Sequence, residues 1–118
     1  MVQEKYNECL GMMLPLQDTL DVIGGKWKIK IILSICNGNN RFREILNSIP
    51  RISAKVLAQD LKDLEENKLI KREVVDDFPS SINYTLESYS DTLVPILHGL
   101  IDWGKNHRKK LFAIKSSE

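Results

Sequence analysis

The chain has 118 residues, of which 42% are hydrophobic, and a formal net charge of +1 at pH 7. This length predicts one compact domain with one core over residues 1–118, since it is too short for two domains of ordinary size. No apolar run approaches the ~20 residues of a membrane span, and Glu4 and Glu8 stand where a secretory signal would be positively charged. The sequence therefore predicts a cytoplasmic protein with no membrane contact.

The charge is unevenly distributed along the chain. Residues 26–72 carry eleven Lys or Arg against five Asp or Glu, a net charge of +6, whereas residues 1–25 carry −3 and residues 73–118 carry −2. Positive potential concentrated on one segment is what a phosphate-facing surface requires. The pattern favours a nucleic-acid partner for the central segment.

The two cysteines, Cys9 and Cys36, lie far apart and not in CxxC spacing. They form neither a zinc-binding pattern nor a disulfide framework, so we expect reduced thiols, no metal and no cofactor. Cys36 stands among Ile32, Leu33 and Ile35, which predicts a buried, inert thiol.

The N-terminal arm, residues 1–14, mixes polar and apolar side chains and is interrupted by Gly11. We predict that it is frayed or held by a partner subunit. Pro15 suits the start of a first helix, which Gly24-Gly25 should end. Its apolar stripe is Leu16, Leu20 and Ile23. No Lys-Ser or Lys-Thr follows the glycines, so a helix break is favoured over a phosphate loop.

Two short helices are predicted next. The second opens at Lys26-Trp27-Lys28 and ends at Asn37-Gly38, and the third is capped by Asn39 or Asn40 and ended by Pro50. The third helix carries its apolar residues at helical spacing: Phe42, Ile45, Leu46 and Ile49.

Arg41 and Arg43 lie in the opening turn of the third helix, on its polar side. There they oppose the helix dipole unless an anion offsets them. A DNA phosphate would do so, and solvated arginines are the alternative.

The fourth helix, from about Ala54 to Glu66, is the one around which the chain is organised. Ser53 is a good N-cap, and Leu57, Leu61 and Leu64 define a buried stripe. The opposite face carries Ala54, Lys55, Ala58, Gln59 and Lys62. Small and amide side chains with two lysines suit a helix that enters a DNA major groove N-terminus first, while a solvated face is the alternative.

A β-hairpin should follow this helix. Asn67 or Lys68 must turn left-handed, and the strands Leu69 to Val75 and Ile82 to Leu86 flank the turn at Asp76 to Ser81. Two helices over about residues 40–66 and then a hairpin over about residues 69–86 are in the order of a winged helix-turn-helix. The predicted fold class is α+β, mainly α, with a helix-turn-helix and a wing.

A long C-terminal helix, about residues 90–110, completes the chain. Its apolar face is wider than one small core can cover, so the equivalent helix of a partner is the natural cover. We therefore predict a homodimer with this set in or near the interface: Leu97, Leu100, Ile101 and Trp103.

The chain closely resembles the HxlR family of bacterial and archaeal winged-helix transcription regulators over about residues 14 to 104. The motifs that carry the resemblance are Leu20-Asp21-Val22-Ile23-Gly24-Gly25-Lys26-Trp27, Arg41-Phe42-Arg43-Glu44-Ile45, Ile49-Pro50-Arg51-Ile52-Ser53, Leu57 with Leu61-Lys62-Asp63-Leu64-Glu65-Glu66, and Tyr84-Thr85-Leu86. The resemblance implies a homodimer joined through terminal helices, a recognition helix at Ser53 to Glu66 and a wing at Val75 to Ser81.

The sequence departs from the family at its sensor and its wing. Members that sense oxidants or electrophiles carry a cysteine directly before the proline of the first helix, where this chain has Leu14. Cys9 is the candidate redox sensor in its place. The wing holds Asp76 and Asp77 and lacks the usual basic residue, so phosphate contact there should be weak. Lys68 stands where a glycine is usual, which strains that turn slightly.

The functional prediction is a sequence-specific regulator that binds a pseudo-palindromic operator in double-stranded DNA as a homodimer. Lys55 and Gln59 are expected at base edges, and phosphate contacts are expected from Arg41, Arg43, Arg51, Ser53 and Lys62. A small electrophile, an oxidant or another effector is the candidate signal. A winged helix that answers a non-covalent ligand or binds a protein is the alternative. An enzyme is disfavoured because no catalytic constellation accompanies His98 and His107.

Overall fold

A computed structural model describes residues 2–75 and 79–117, with side chains at 11–75 and 79–114. The helices are α1 (Val2–Ile23), α2 (Lys28–Cys36), α3 (Phe42–Ser48), α4 (Ala54–Glu66) and α5 (Val94–Ser117), the strands are β1 (Ile70–Val75) and β2 (Ser81–Leu86), and a 3₁₀ helix spans Ser88–Leu93. The mainly helical α+β class with one hairpin is confirmed. The chain divides into two compact units, Met1–Glu87 and Ser88–Glu118.

The first helix is longer than predicted. Its main chain is helical from Val2, so the prediction that helix formation starts at Pro15 is wrong, and Pro15 lies inside the helix. An internal proline removes one main-chain hydrogen bond at a cost of ~3 kcal/mol. The other main-chain hydrogen bonds of this 22-residue helix offset that cost. The Thr19 hydroxyl donates to the Pro15 carbonyl oxygen at 3.0 Å.

The predicted break at Gly24-Gly25 is confirmed. The Gly24 N–H donates to the Leu20 carbonyl oxygen at 2.7 Å, and a Cβ at Gly24 would lie 2.2 Å from that same oxygen. Only glycine allows this approach, which closes the last turn of α1. Gly25 then has a φ of 87°, and the chain leaves the helix.

The core of the first unit lies between α2, α3, α4 and the hairpin. Its fully buried side chains are Ile31, Ile45, Leu57, Leu61, Leu64, Leu69 and Ile70. A polar chain joins α2 to α3 at one side of it: Asn39 donates to the Ser34 hydroxyl at 3.2 Å, and the Ser34 and Ser48 oxygens lie 2.5 Å apart. The Ser48 hydroxyl donates to the Ile45 carbonyl, so Ser34 donates to Ser48.

Cys36 is exposed, so the prediction of a buried thiol is wrong. Its apolar neighbours Ile32 and Ile35 are buried, as predicted. Cys36, however, is the last residue of α2, and the exposed turn Asn37-Gly38 follows immediately. The helix ends before another element can cover the sulfur.

The hairpin is antiparallel, with Ile70 opposite Leu86 and Val75 opposite Ser81. Lys68 takes the left-handed conformation that precedes it, with a φ of 64°. The turn residues 76–78, which include the predicted acidic wing residues Asp76 and Asp77, lie outside the described part of the chain.

In the second unit, α5 is longer than predicted. Within the unit, the Trp103 and His107 rings stack with centroids 4.8 Å apart. Leu97 is buried, while Leu100 and Trp103 are 52% and 67% exposed, and Ile101 is also exposed. No helix in residues 2–75 or 79–117 is long and apolar enough to cross a membrane.

Candidate nucleic-acid interface

The outer face of α4 is built as predicted from its sequence. The Ser53 side chain accepts a hydrogen bond from the Val56 N–H at 3.1 Å and caps the helix. Leu57, Leu61 and Leu64 are buried, so the other side of the helix must face solvent. The predicted contact residues on it are all exposed: Ala54, Lys55, Ala58, Gln59 and Lys62.

Four of these residues and Val56 line an open depression along α4: Lys55, Val56, Ala58, Gln59 and Lys62. Val56 is exposed although it stands next to the buried Leu57 in sequence. Val56 was not among the contact residues predicted from the sequence. An exposed methyl-bearing side chain on such a face fits the C5-methyl group of thymine.

Asp63 on α4 contacts both Lys28 on α2 and Gln59, one of the two residues predicted to contact base edges. The Gln59 Nε2 donates to Asp63 Oδ1 at 2.9 Å, and Lys28 Nζ lies 3.6 Å from Asp63 Oδ2. Each carboxylate oxygen therefore has its own partner. The position of Lys28 near the start of α2 was predictable from the sequence, but its ion pair with Asp63 was not.

Asp60 lies one turn before Asp63 on the same helix. Burial raises the pKa of its carboxyl above the ordinary value; the charge of Lys28 opposes this shift and the charge of Asp63 adds to it. Lys28 is thus the cation that faces both carboxylates.

The start of α3 differs from its prediction. The cap position is Arg41, not Asn39 or Asn40, and the Arg41 N–H donates to Glu44 Oε1 at 3.0 Å. Glu44 therefore supplies part of the negative charge that the helix dipole favours. The side chains of Arg41 and Arg43 are exposed, and neither forms an ion pair within the described residues.

The turn between α3 and α4 contains a strained residue. Arg51 has a φ of 71°, in the left-handed region that favours glycine, and its side chain is exposed. A bulky residue held in this region often marks a functional position. Nothing in the sequence pattern signalled this conformation.

Three further observations concern residues away from α4. The main chain of Cys9 lies in α1, but its side chain lies outside the described part. The described residues contain no cluster of His, Cys, Asp and Glu that could hold a metal ion. Lys26 and Lys30 both lie against the Trp27 ring, 4.9 and 5.0 Å from its centroid, which fixes the start of α2.

The profile of the HxlR-like helix-turn-helix family matches residues 22–112. The chain belongs to this family. It is therefore a helix-turn-helix transcription regulator, of a class that binds DNA and is not enzymatic. The uncharacterized HTH-type transcriptional regulator YtcD of Bacillus subtilis is 36% identical over 112 residues, which cover 95% of this chain and 84% of YtcD.

Solved structures agree with this assignment. The redox regulator HypR in its reduced form superposes with a TM-score of 0.76 at 35% identity, over 84% of this chain and 98% of HypR. The reduced form of the transcriptional regulator YodB from B. subtilis gives a TM-score of 0.69 at 32% identity, over 75% of this chain and 87% of YodB. YodB is also known in a diamide-treated form.

Proposed function

We propose that this HxlR-like regulator binds a pseudo-palindromic operator as a homodimer, with α4 of each protomer in the major groove. The observation that supports the proposal best is the exposed face of α4, where small, amide and lysine side chains lie opposite a fully buried leucine stripe. The two alanines allow the helix to approach the bases closely.

Base reading and positioning fall to different residues in this proposal. Lys55 and Gln59 lie one helical turn apart and contact base edges, with Ala54 and Ala58 beside them. Phosphate contacts come from Arg41, Arg43, Arg51, Ser53 and Lys62. The exposure of these side chains and the absence of ion pairs to Arg41 and Arg43 within the described residues support this role.

The wing should add little phosphate binding. Lys71 on β1 lies 3.6 Å from Glu73 Oε1, so part of its charge is already compensated. The exposed basic residue left on that strand is Arg72.

The dimer is proposed to form through α5. Leu100, Ile101 and Trp103 expose an apolar surface that water disfavours, and Leu97 lies at its edge, buried within its own protomer. A stable dimer buries about 1,600 Å² in total, and the 24 residues of α5 give a long helix along which such contacts form. Two reading heads would then face half-sites about 34 Å apart.

The operator proposal is tested by selecting bound fragments from random double-stranded DNA. The expected product is an inverted repeat whose half-sites are one or a whole number of helical turns apart. Recovery of a single half-site would contradict the dimer. Recovery of no sequence preference would contradict specific reading and would favour the alternative, a winged helix with a protein or small-molecule partner.

Oxidant sensing at Cys9 is the proposed signal. It rests on the similarity to HypR, a redox regulator, and to YodB, which is known in a diamide-treated form. Thiol oxidation that shifts two protomers relative to each other would separate the reading heads and lower DNA affinity.

The test compares DNA affinity with and without diamide for the parent, Cys9→Ser and Cys36→Ser proteins. Because Cys36 is exposed, its variant is an essential arm and not a silent control. Loss of the response in Cys9→Ser alone supports the proposal. A parent indifferent to diamide, or a response that persists in Cys9→Ser, contradicts it.

A further inference from the structure

The carboxylate of Asp63 lies between the side chains of Gln59 and Lys28. Its Oδ1 accepts from Gln59 Nε2 at 2.9 Å, and its Oδ2 faces Lys28 Nζ at 3.6 Å. Asp63 and Lys28 are both partly buried, with side-chain exposures of 32% and 16%. Lys28 stands on α2, so the arrangement links the recognition helix to the body of the first unit.

The orientation of the Gln59 amide follows from the chemistry of its partner. An ionised carboxylate only accepts hydrogen bonds, so the NH₂ group of Gln59 must point toward Asp63. The carbonyl oxygen of this exposed side chain is then free of Asp63 and available on the outer face of α4, which also carries Lys55 and Ala58. One hydrogen of the NH₂ group also remains available.

We infer that Asp63 and Lys28 are positioning residues that set the base preference of Gln59. The inference rests on the proposed function, in which Gln59 reads a base edge. A Gln59 carbonyl presented to the major groove accepts from the amino groups of adenine or cytosine, and it meets only acceptors on guanine and at thymine O4.

Adenine forms more hydrogen bonds than the other bases with Gln59 in this orientation. Its N6 amino group donates to the Gln59 carbonyl, and its N7 accepts the remaining hydrogen of the Gln59 NH₂ group. Cytosine offers only the first of these bonds. The expected order at the position read by Gln59 is therefore adenine, then cytosine, then guanine and thymine.

Lys28 contributes by holding the Asp63 carboxylate in place. Asp63 Oδ2 lies 3.6 Å from its ammonium nitrogen, and Asp60 is close enough for the Lys28 charge to oppose the rise in its pKa. The charge of Lys28 offsets the repulsion between the two carboxylates, so its removal frees the Asp63 carboxylate to turn away from Gln59.

The experiment measures affinities of the full-length protein for a selected operator and its base variants. The position read by Gln59 is defined as the one whose preference is lost in Gln59→Ala. Asp63→Asn keeps the shape of the side chain but allows the Gln59 amide to turn over, so the adenine preference at that position should fall about tenfold. Preferences at other positions and the salt dependence should stay as in the parent.

Two further variants complete the design. Lys28→Met should lower the adenine preference at the same position. Glu66→Gln is the control: it removes one negative charge from an exposed position of α4, as Asp63→Asn removes one from Asp63, and it should leave that preference unaltered. Thermal unfolding verifies that each variant is folded. If Asp63→Asn does not fold, Lys28→Met carries the test.

The outcomes separate the inference from the proposed function. If Gln59→Ala relaxes one position but Asp63→Asn and Lys28→Met keep the adenine preference there, the positioning role is wrong and the reading role stands. Equal losses at all positions would also overturn the positioning role. If Gln59→Ala changes no preference, the reading role itself fails.

Discussion

The main-chain N–H of Tyr84 donates a hydrogen bond of 2.7 Å to the carbonyl oxygen of Asn40. Tyr84 is a buried residue of β2, and Asn40 lies just before α3. The bond therefore attaches the hairpin to the start of the helix-turn-helix. Strand β2 and the opening turn of α3, which carries Arg41 and Arg43, should hold their relative positions as DNA is bound.

Amide hydrogen exchange tests this attachment. The Tyr84 amide is expected to exchange as slowly as amides of the buried α4 stripe, such as that of Leu61, because both open only with the fold. Residue-resolved exchange by nuclear magnetic resonance gives the comparison. Exchange at Tyr84 near the rate of an unstructured peptide would show that the hairpin moves independently of α3.

Replacing the strained Arg51 by glycine should raise the stability of the protein and lower its DNA affinity. Arg51→Gly removes the steric strain of a side chain at positive φ, so the free energy of unfolding should rise by up to about 1 kcal/mol. The same change removes a proposed phosphate contact, so DNA affinity should fall and the salt dependence should flatten by about one unit. Urea unfolding and a salt series of binding isotherms measure the two effects.

Lys68→Gly is the matched control, because Lys68 has a φ of 64° and follows the end of α4. It should stabilise the fold to a similar extent and leave DNA affinity nearly unchanged. Equal losses of DNA affinity in both variants would mean that Arg51 acts only through the net charge.

Asp60 predicts a specific pH dependence of stability. Its raised pKa, caused first by burial, means that the folded protein binds this proton more tightly than the unfolded chain. The contribution of Asp60 to stability therefore falls as pH rises from the ordinary carboxyl value through the raised value. Above the raised pKa, the burial of the ionised carboxylate lowers the free energy of unfolding by a constant amount.

Asp60→Asn should accordingly be more stable than the parent near pH 7. The gain should vanish at about pH 2.5, well below the ordinary carboxyl value, because the carboxyl is then protonated in both states. Urea unfolding at the two pH values measures the difference, with the exposed Glu66→Gln as control. A gain that is the same at both pH values would assign the effect to packing and not to ionisation.

The proposed dimer is tested at the exposed apolar surface of α5. Leu100→Asp or Trp103→Asp places a charge in the interface, so the dimer dissociation constant should rise about 30-fold or more, and operator binding should weaken with it. Lys109 lies on the opposite face of α5 from Leu100, so Lys109→Asp should leave the dimer intact. Light scattering gives the result, and a parent that is monomeric at micromolar concentration would contradict the proposal.

The sequence predicted α4 well because its signals are local. Ser53, the leucine stripe and the polar face all lie within one short stretch, and their periodicity alone fixes which side is buried. The order of helix, helix and hairpin was predictable for the same reason. Local signals failed at Pro15, where the main-chain bonds of a long helix outweigh one missing N–H.

Features that depend on tertiary placement were not predictable. The Lys28–Asp63 ion pair joins residues from α2 and α4, and no local pattern brings them together. Cys36 was misjudged because burial at a helix end depends on which element lies beyond it. The left-handed Arg51 was missed because its residue type gives no sign of that conformation.

The assignment of α4 as the DNA reader is tested most directly by comparing Gln59→Ala with Arg43→Ala on the selected operator and on unrelated DNA. Gln59→Ala should cost about 1 to 3 kcal/mol on the operator alone and relax its preference at one position. Arg43→Ala should weaken binding to all DNA and flatten the salt dependence by about one unit. Equal losses from both variants on both DNAs would contradict the assignment.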